Sequence, residues 1–72
     1  MEQMEIFVVD GSLEIHPVKI AEADWRHPSG VFSAYIGDQS IIVLRGGWNK
    51  FTTYGGFKTK EEAENFKAKQ QG

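Results

Sequence analysis

His16 and His27 are the two side chains here best suited to acid–base work or metal ligation near neutral pH. Asp24 lies just before His27 and could orient its ring, as carboxylates orient catalytic and metal-bound imidazoles. The two histidines stand eleven residues apart. That spacing is neither a helical pair nor, in a chain without cysteine, part of a thiolate metal site. His27 is therefore expected in a turn before Pro28, and His16 at an exposed strand position. The pairs Gly46-Gly47 and Gly55-Gly56 match neither a GxxxxGK[ST] phosphate loop nor GxGxxG. Their expected role is positive φ at tight strand ends. No Ser/His/Asp ordering suggests acyl transfer. The sequence predicts a protein that is not an enzyme and uses no cofactor and no metal.

Binding chemistry is better represented. Arg45, Lys50, Lys58 and Lys60 cluster around Trp48 in a glycine-rich stretch. Cations that meet phosphates and aromatic groups that meet bases are what nucleic-acid contact needs. On a strand over 50–54, Lys50, Thr52 and Tyr54 share one face, while Phe51 and Thr53 share the other. A second kind of contact is offered by Ile41-Ile42-Val43-Leu44, which is apolar at every position. A strand of that kind is normally covered on both sides. The cover could be the N-terminal hairpin, closing a small barrel or sandwich, or a second subunit. Ile41, Val43, Trp48 and Tyr54 are the residues expected at such a protein interface. Arg45, Trp48, Lys50, Thr52, Tyr54 and Lys58 are those expected at a nucleic-acid interface.

The elements that would carry these groups are short. Met4 to Val9 is rich in β-branched residues and ends at Asp10-Gly11, a strong signal for a type I′ hairpin turn. Leu13 to Ile20 is the return strand. Its apolar phase changes at His16-Pro17, which predicts a bulge or a sheet edge, although Val18, Ala21 and Trp25 also fit one helical face. His27-Pro28-Ser29-Gly30 turns the chain into a strand over 31–36, Gly37-Asp38-Gln39 into one over 40–45, and Gly46 to Asn49 into one over 50–54. Thr59 and Glu62 then form a capping box for a helix over 60–70, with Ala63 and Phe66 on its apolar stripe. The connections are short throughout. The expected architecture is α+β: a small antiparallel meander sheet of four or five strands, with one C-terminal helix packed on one face.

The 72 residues make a single small domain, 1–72, with a thin stability margin. The formal net charge is −2. Up to Ile36 the carboxylates Glu2, Glu5, Asp10, Glu14, Glu22 and Asp24 outnumber Lys19 and Arg26. Beyond it, six cations outnumber Asp38, Glu61, Glu62 and Glu64. No window is apolar for the length of a membrane span, and the acidic start lacks the basic region of a secretory signal. The expected location is the cytoplasm, with no membrane partner.

The stretch from Lys50 to Glu64 (Lys50-Phe51-Thr52-Thr53-Tyr54-Gly55-Gly56-Phe57-Lys58-Thr59-Lys60-Glu61-Glu62-Ala63-Glu64) resembles the end of the arm-type DNA-binding domain of phage tyrosine integrases. That family reads as a basic strand, a Gly-Phe-x-Thr-Lys-x-x-Ala segment and a helix. The resemblance implies three antiparallel strands backed by a helix, a sheet that enters the DNA major groove, and DNA contacts from Arg45, Lys50, Thr52 and Tyr54. The helix start is also similar to that of cell-wall-binding SPOR domains. The resulting expectation is a non-enzymatic, phage- or prophage-like binding module. It would act by protein–protein contact or homodimerisation, with DNA binding through the last two strands as the alternative.

Overall fold

The computed structural model describes residues 2–48 and 53–71. In chain order these form β1 (Gln3–Val9), β2 (Ile15–Ala21), a one-turn helix α1 (Glu22–Trp25), β3 (Val31–Ile36), β4 (Gln39–Arg45), β5 (Tyr54–Phe57) and α2 (Lys60–Gln71). The α+β expectation holds: five strands make one mostly antiparallel sheet, and one C-terminal helix packs on it. The strand order is β2-β1-β5-β4-β3, and it departs from a simple meander. β5 pairs antiparallel with β1 but parallel with β4, so it is wedged between two hairpins that are each local in sequence.

The glycine pair explains the departure. Lys50, Phe51 and Thr52, expected on the last strand, lie outside the described residues. The strand begins at Tyr54 and runs through Gly55-Gly56, where a turn was expected. Both glycines are buried, and neither has positive φ. A Cβ on Gly56 would lie 2.5 Å from Val43 Cγ1, and one on Gly55 would lie 2.9 Å from the Gly47 carbonyl oxygen. Here glycine serves close approach of neighbouring chains rather than a bend. Gly46, with φ of 72°, does fill the turn role.

The N-terminal hairpin forms as expected, with a different turn. Asp10 and Gly11 do not take the two positive φ values of a type I′ turn. Leu13 carries the left-handed residue instead, with φ of 65°, closing a three-residue loop. Its side chain packs against the cluster of Val9, Phe57 and Ala63 on the helix side of the sheet, and that packing holds the strained backbone in place. Register then runs unbroken from Val9↔Ile15 to Gln3↔Ala21. Pro17 therefore marks an edge strand and not a bulge. The apparent change of phase arises because β2 serves two cores: Ile15 faces α2, while Val18 and Ile20 face the other way.

That other face is concave. Ile6, Val8, Val18, Ile20, Phe32, Ala34, Ile41 and Val43 fill it. The sheet curls so that β3 comes alongside β2, and Trp25 from α1 packs edge-on against Phe32 with ring centroids 6.0 Å apart. On the convex face α2 lies chiefly over β1, β5 and β2, where Val9, Phe57 and Ala63 are buried. The helix starts at Lys60 as the sequence predicts, and half of the capping box is seen: the Glu62 N–H donates to Thr59 Oγ1 at 3.1 Å, while the Glu62 side chain lines a groove instead of reaching back to the Thr59 N–H. Phe66 stacks on Phe57 at 4.9 Å between centroids. None of the described helices is long and apolar enough to cross a membrane.

Candidate functional site

The histidine chemistry resolves into two local structures. His27 Nδ1 lies 2.7 Å from Ser29 Oγ. Asp24 meets His27 only through the backbone, its carbonyl accepting the His27 N–H. That pair shapes the turn into β3. His16 is half-buried rather than exposed, and its Nε2 lies 2.7 Å from Asp10 Oδ2. Asp10 Oδ1 also accepts the N–H groups of Ser12 and Glu14, at 2.8 and 2.9 Å. Asp10, Glu14 and His16 thus bring three potential ligand atoms within 4.8 Å of one another. Both Asp10 oxygens are already engaged, so the cluster acts as a clasp on the hairpin loop.

The clasp has a pH signature. Burial alone would raise the Asp10 carboxyl, but the His16 side chain and the N–H groups of Glu14 and Ser12 outweigh it and hold the group below its ordinary value. A carboxylate depressed in the folded state contributes its full stability above the unfolded pKa, near 3.8. It loses that contribution as pH falls through the lower folded value. Asp10→Ala is expected to cost about 1–2 kcal/mol at neutral pH, the range for a capping carboxylate that bonds backbone N–H groups. The variant should also show a shallower acid decline in thermal midpoint than the parent, readable by circular dichroism from neutral pH down to about pH 2.

A groove of about 540 Å³ lies between α2, the C-terminal ends of β4 and β5, and α1. Trp25, Phe57 and Phe66 give it an aromatic wall, and Arg45, Lys58 and Lys69 bring positive charge. From α2, the residues Glu62, Asn65, Phe66 and Lys69 look into it, a spacing that places them on one helical face. The Arg45 guanidinium is held in place, Nη1 donating to the Trp25 carbonyl at 2.6 Å and to that of His27 at 3.4 Å. Lys58 and Lys69 are exposed and make no ion pair among the described residues.

The residues expected at a protein interface divide sharply. Ile41 and Val43 are 3% and 0% exposed. They are core residues, because their phase of β4 points into the concave face. Ile42, between them, is 44% exposed, since α2 does not reach this part of the sheet. Tyr54 is half-buried against the concave core and not in an outward row. Trp48 is half-buried, edge-on to Phe66 at 5.5 Å, with a buried Nε1 that has no acceptor among the described residues. Of the residues expected to contact nucleic acid, Arg45 and Lys58 meet at the groove, whereas Lys50 and Thr52 lie outside the described residues.

Two surfaces were missed by sequence reasoning. Lys69 and the aromatic wall could have been found from the spacing of Glu62, Asn65, Phe66 and Lys69. The outward row of Val31, Tyr35 and Ile42 needed the helix position, which no local pattern carries. No family model, curated protein or solved structure matches this chain.

Proposed function

We propose that this domain is a non-enzymatic binding module that self-associates through the outward face of the β3–β4 hairpin. One observation carries the reading. Val31, Tyr35 and Ile42 are 39%, 65% and 44% exposed on a face that α2 leaves uncovered. Cross-strand register pairs Val31 with Leu44, Ser33 with Ile42 and Tyr35 with Ser40, so none of the six side chains in these rows is charged. Exposed large apolar side chains grouped on an uncharged face mark interaction sites. A face without charge can meet its own copy across a two-fold axis with no like-charge repulsion.

Sedimentation over a range of concentrations tests this. The parent chain is expected to show a monomer–dimer equilibrium, and Ile42→Asp to be monomeric with its thermal midpoint little changed, because Ile42 is not a core residue. A parent that stays monomeric at high concentration would end the self-association reading.

A second reading, DNA binding, is favoured by the shared position of Arg45, Lys58 and Lys69 at one groove. Arg45 is already tied to two carbonyls, so Lys58 is the informative residue. Under this reading duplex affinity falls steeply with salt, and Lys58→Ala reduces the slope of that dependence by about one phosphate contact.

A further inference from the structure

We infer that the groove beneath α2 is a binding site for a small organic anion with a flat apolar body. The inference is independent of the β3–β4 face, which lies elsewhere on the sheet. The groove volume of about 540 Å³ falls within the range of pockets that enclose small ligands, roughly 300–1,000 Å³. Trp25 lines the groove from one side of the sheet, and Phe57 and Phe66, in ring contact with each other, line it from the other. Trp25 packs beside Gly56, where a Cβ would lie 3.5 Å from Trp25 Cζ3, an ordinary contact distance. A flat apolar group finds aromatic surface there.

The charge requirement is equally specific. Three cations face one carboxylate, Glu62, around the opening. Arg45 is oriented by two backbone carbonyls and is a positioned cation rather than a free-swinging one. Lys58 and Lys69 approach from the strand end and from the helix, and neither is engaged in an ion pair among the described residues. A carboxylate, sulfonate or phosphate ester on the apolar body would meet this rim. A duplex would meet this recess through isolated phosphates only, whereas a single small anion would meet the whole rim.

The test uses the whole chain and two probes of nearly the same shape: anilinonaphthalene sulfonate, which is anionic, and neutral phenylnaphthylamine. Binding is followed through backbone and side-chain amide chemical shifts. The expected result is a set of anion-induced shifts confined to Gly46, Gly56, Lys58 and Asn65. The double variant Lys58→Gln, Lys69→Gln should bind the sulfonate about fivefold more weakly, the effect of removing two screened charges. It should bind the neutral probe as the parent does. Both lysines are exposed, so the variant keeps its fold, and an unchanged amide spectrum without probe verifies this. Equal sulfonate affinity in parent and variant would overturn the inference. So would shifts centred on Val31, Tyr35 and Ile42, or a short DNA duplex that perturbs the same groove amides at lower concentration than the sulfonate.

Discussion

Gly56→Ala should destabilise the domain by about 3 kcal/mol, the upper part of the usual range for overpacking a filled core. The new Cβ would sit 2.5 Å from Val43 Cγ1, and Val43 is fully buried with no solvent to move into. Gly56 also lies on the central strand, opposite Val8 on one side and Arg45 on the other, so the backbone cannot retreat without loosening two ladders. A domain of this length has roughly 4–11 kcal/mol of total stability, and the substitution would remove a large part of it. Urea unfolding measures the loss. Two companions isolate the cause. Gly46→Ala meets nothing within 4 Å but has φ of 72°, so it should cost only the backbone strain, about 1 kcal/mol. Val43→Ala combined with Gly56→Ala should be less destabilised than the two single effects together, because the shortened side chain vacates the contested space. A Gly56→Ala variant as stable as the parent would mean that β5 does not lie between β1 and β4.

Phe66→Ala is the second large effect. Complete burial would place it at 3–5 kcal/mol, and half-burial puts it near the lower end, about 3 kcal/mol. The ring joins α2 to the sheet through Phe57 and touches Trp48 on its other side. Trp48 modulates the outcome. A buried indole N–H without an acceptor is unfavourable by about 1–3 kcal/mol, and opening the space beside it admits water to that donor, which offsets part of the loss. The variant should therefore show a lower urea midpoint together with red-shifted tryptophan emission. Thr59→Ala, which removes only the cap, should cost about 1 kcal/mol and leave the emission unchanged. A Phe66→Ala midpoint equal to the parent's would show that the helix is not anchored by this ring.

The helix was legible in the sequence because its signals are local: the Thr59 cap, the Ala63–Phe66 stripe and the entry of Phe57 all lie within a few residues. The edge character of β2 was legible from Pro17 for the same reason. Gly55-Gly56 was not, since a glycine pair reads as a turn unless the atoms that crowd it are known, and those belong to Val43 and Gly47. Nor could the four apolar residues 41–44 reveal which pair faces inward, because period two leaves both phases open until a helix is placed. The Asp10–His16 contact lies between these cases. His16 is opposite Val8 in the ladder, which makes Asp10 its diagonal neighbour on the same face, and a worked register would have found it.

The position of β5 between two hairpins has a consequence for how the molecule comes into being. During synthesis β1 with β2, and β3 with β4, can each pair from contacts close in sequence, the fast kind. These two ribbons share no hydrogen-bonded ladder until residues 54–57 arrive and bond to both. The last-made strand is therefore the one that turns two separate ribbons into a sheet. A nascent chain shorter than this holds unpaired edges on β1 and β4, and that interval is when it is most exposed to wrong pairing with other chains.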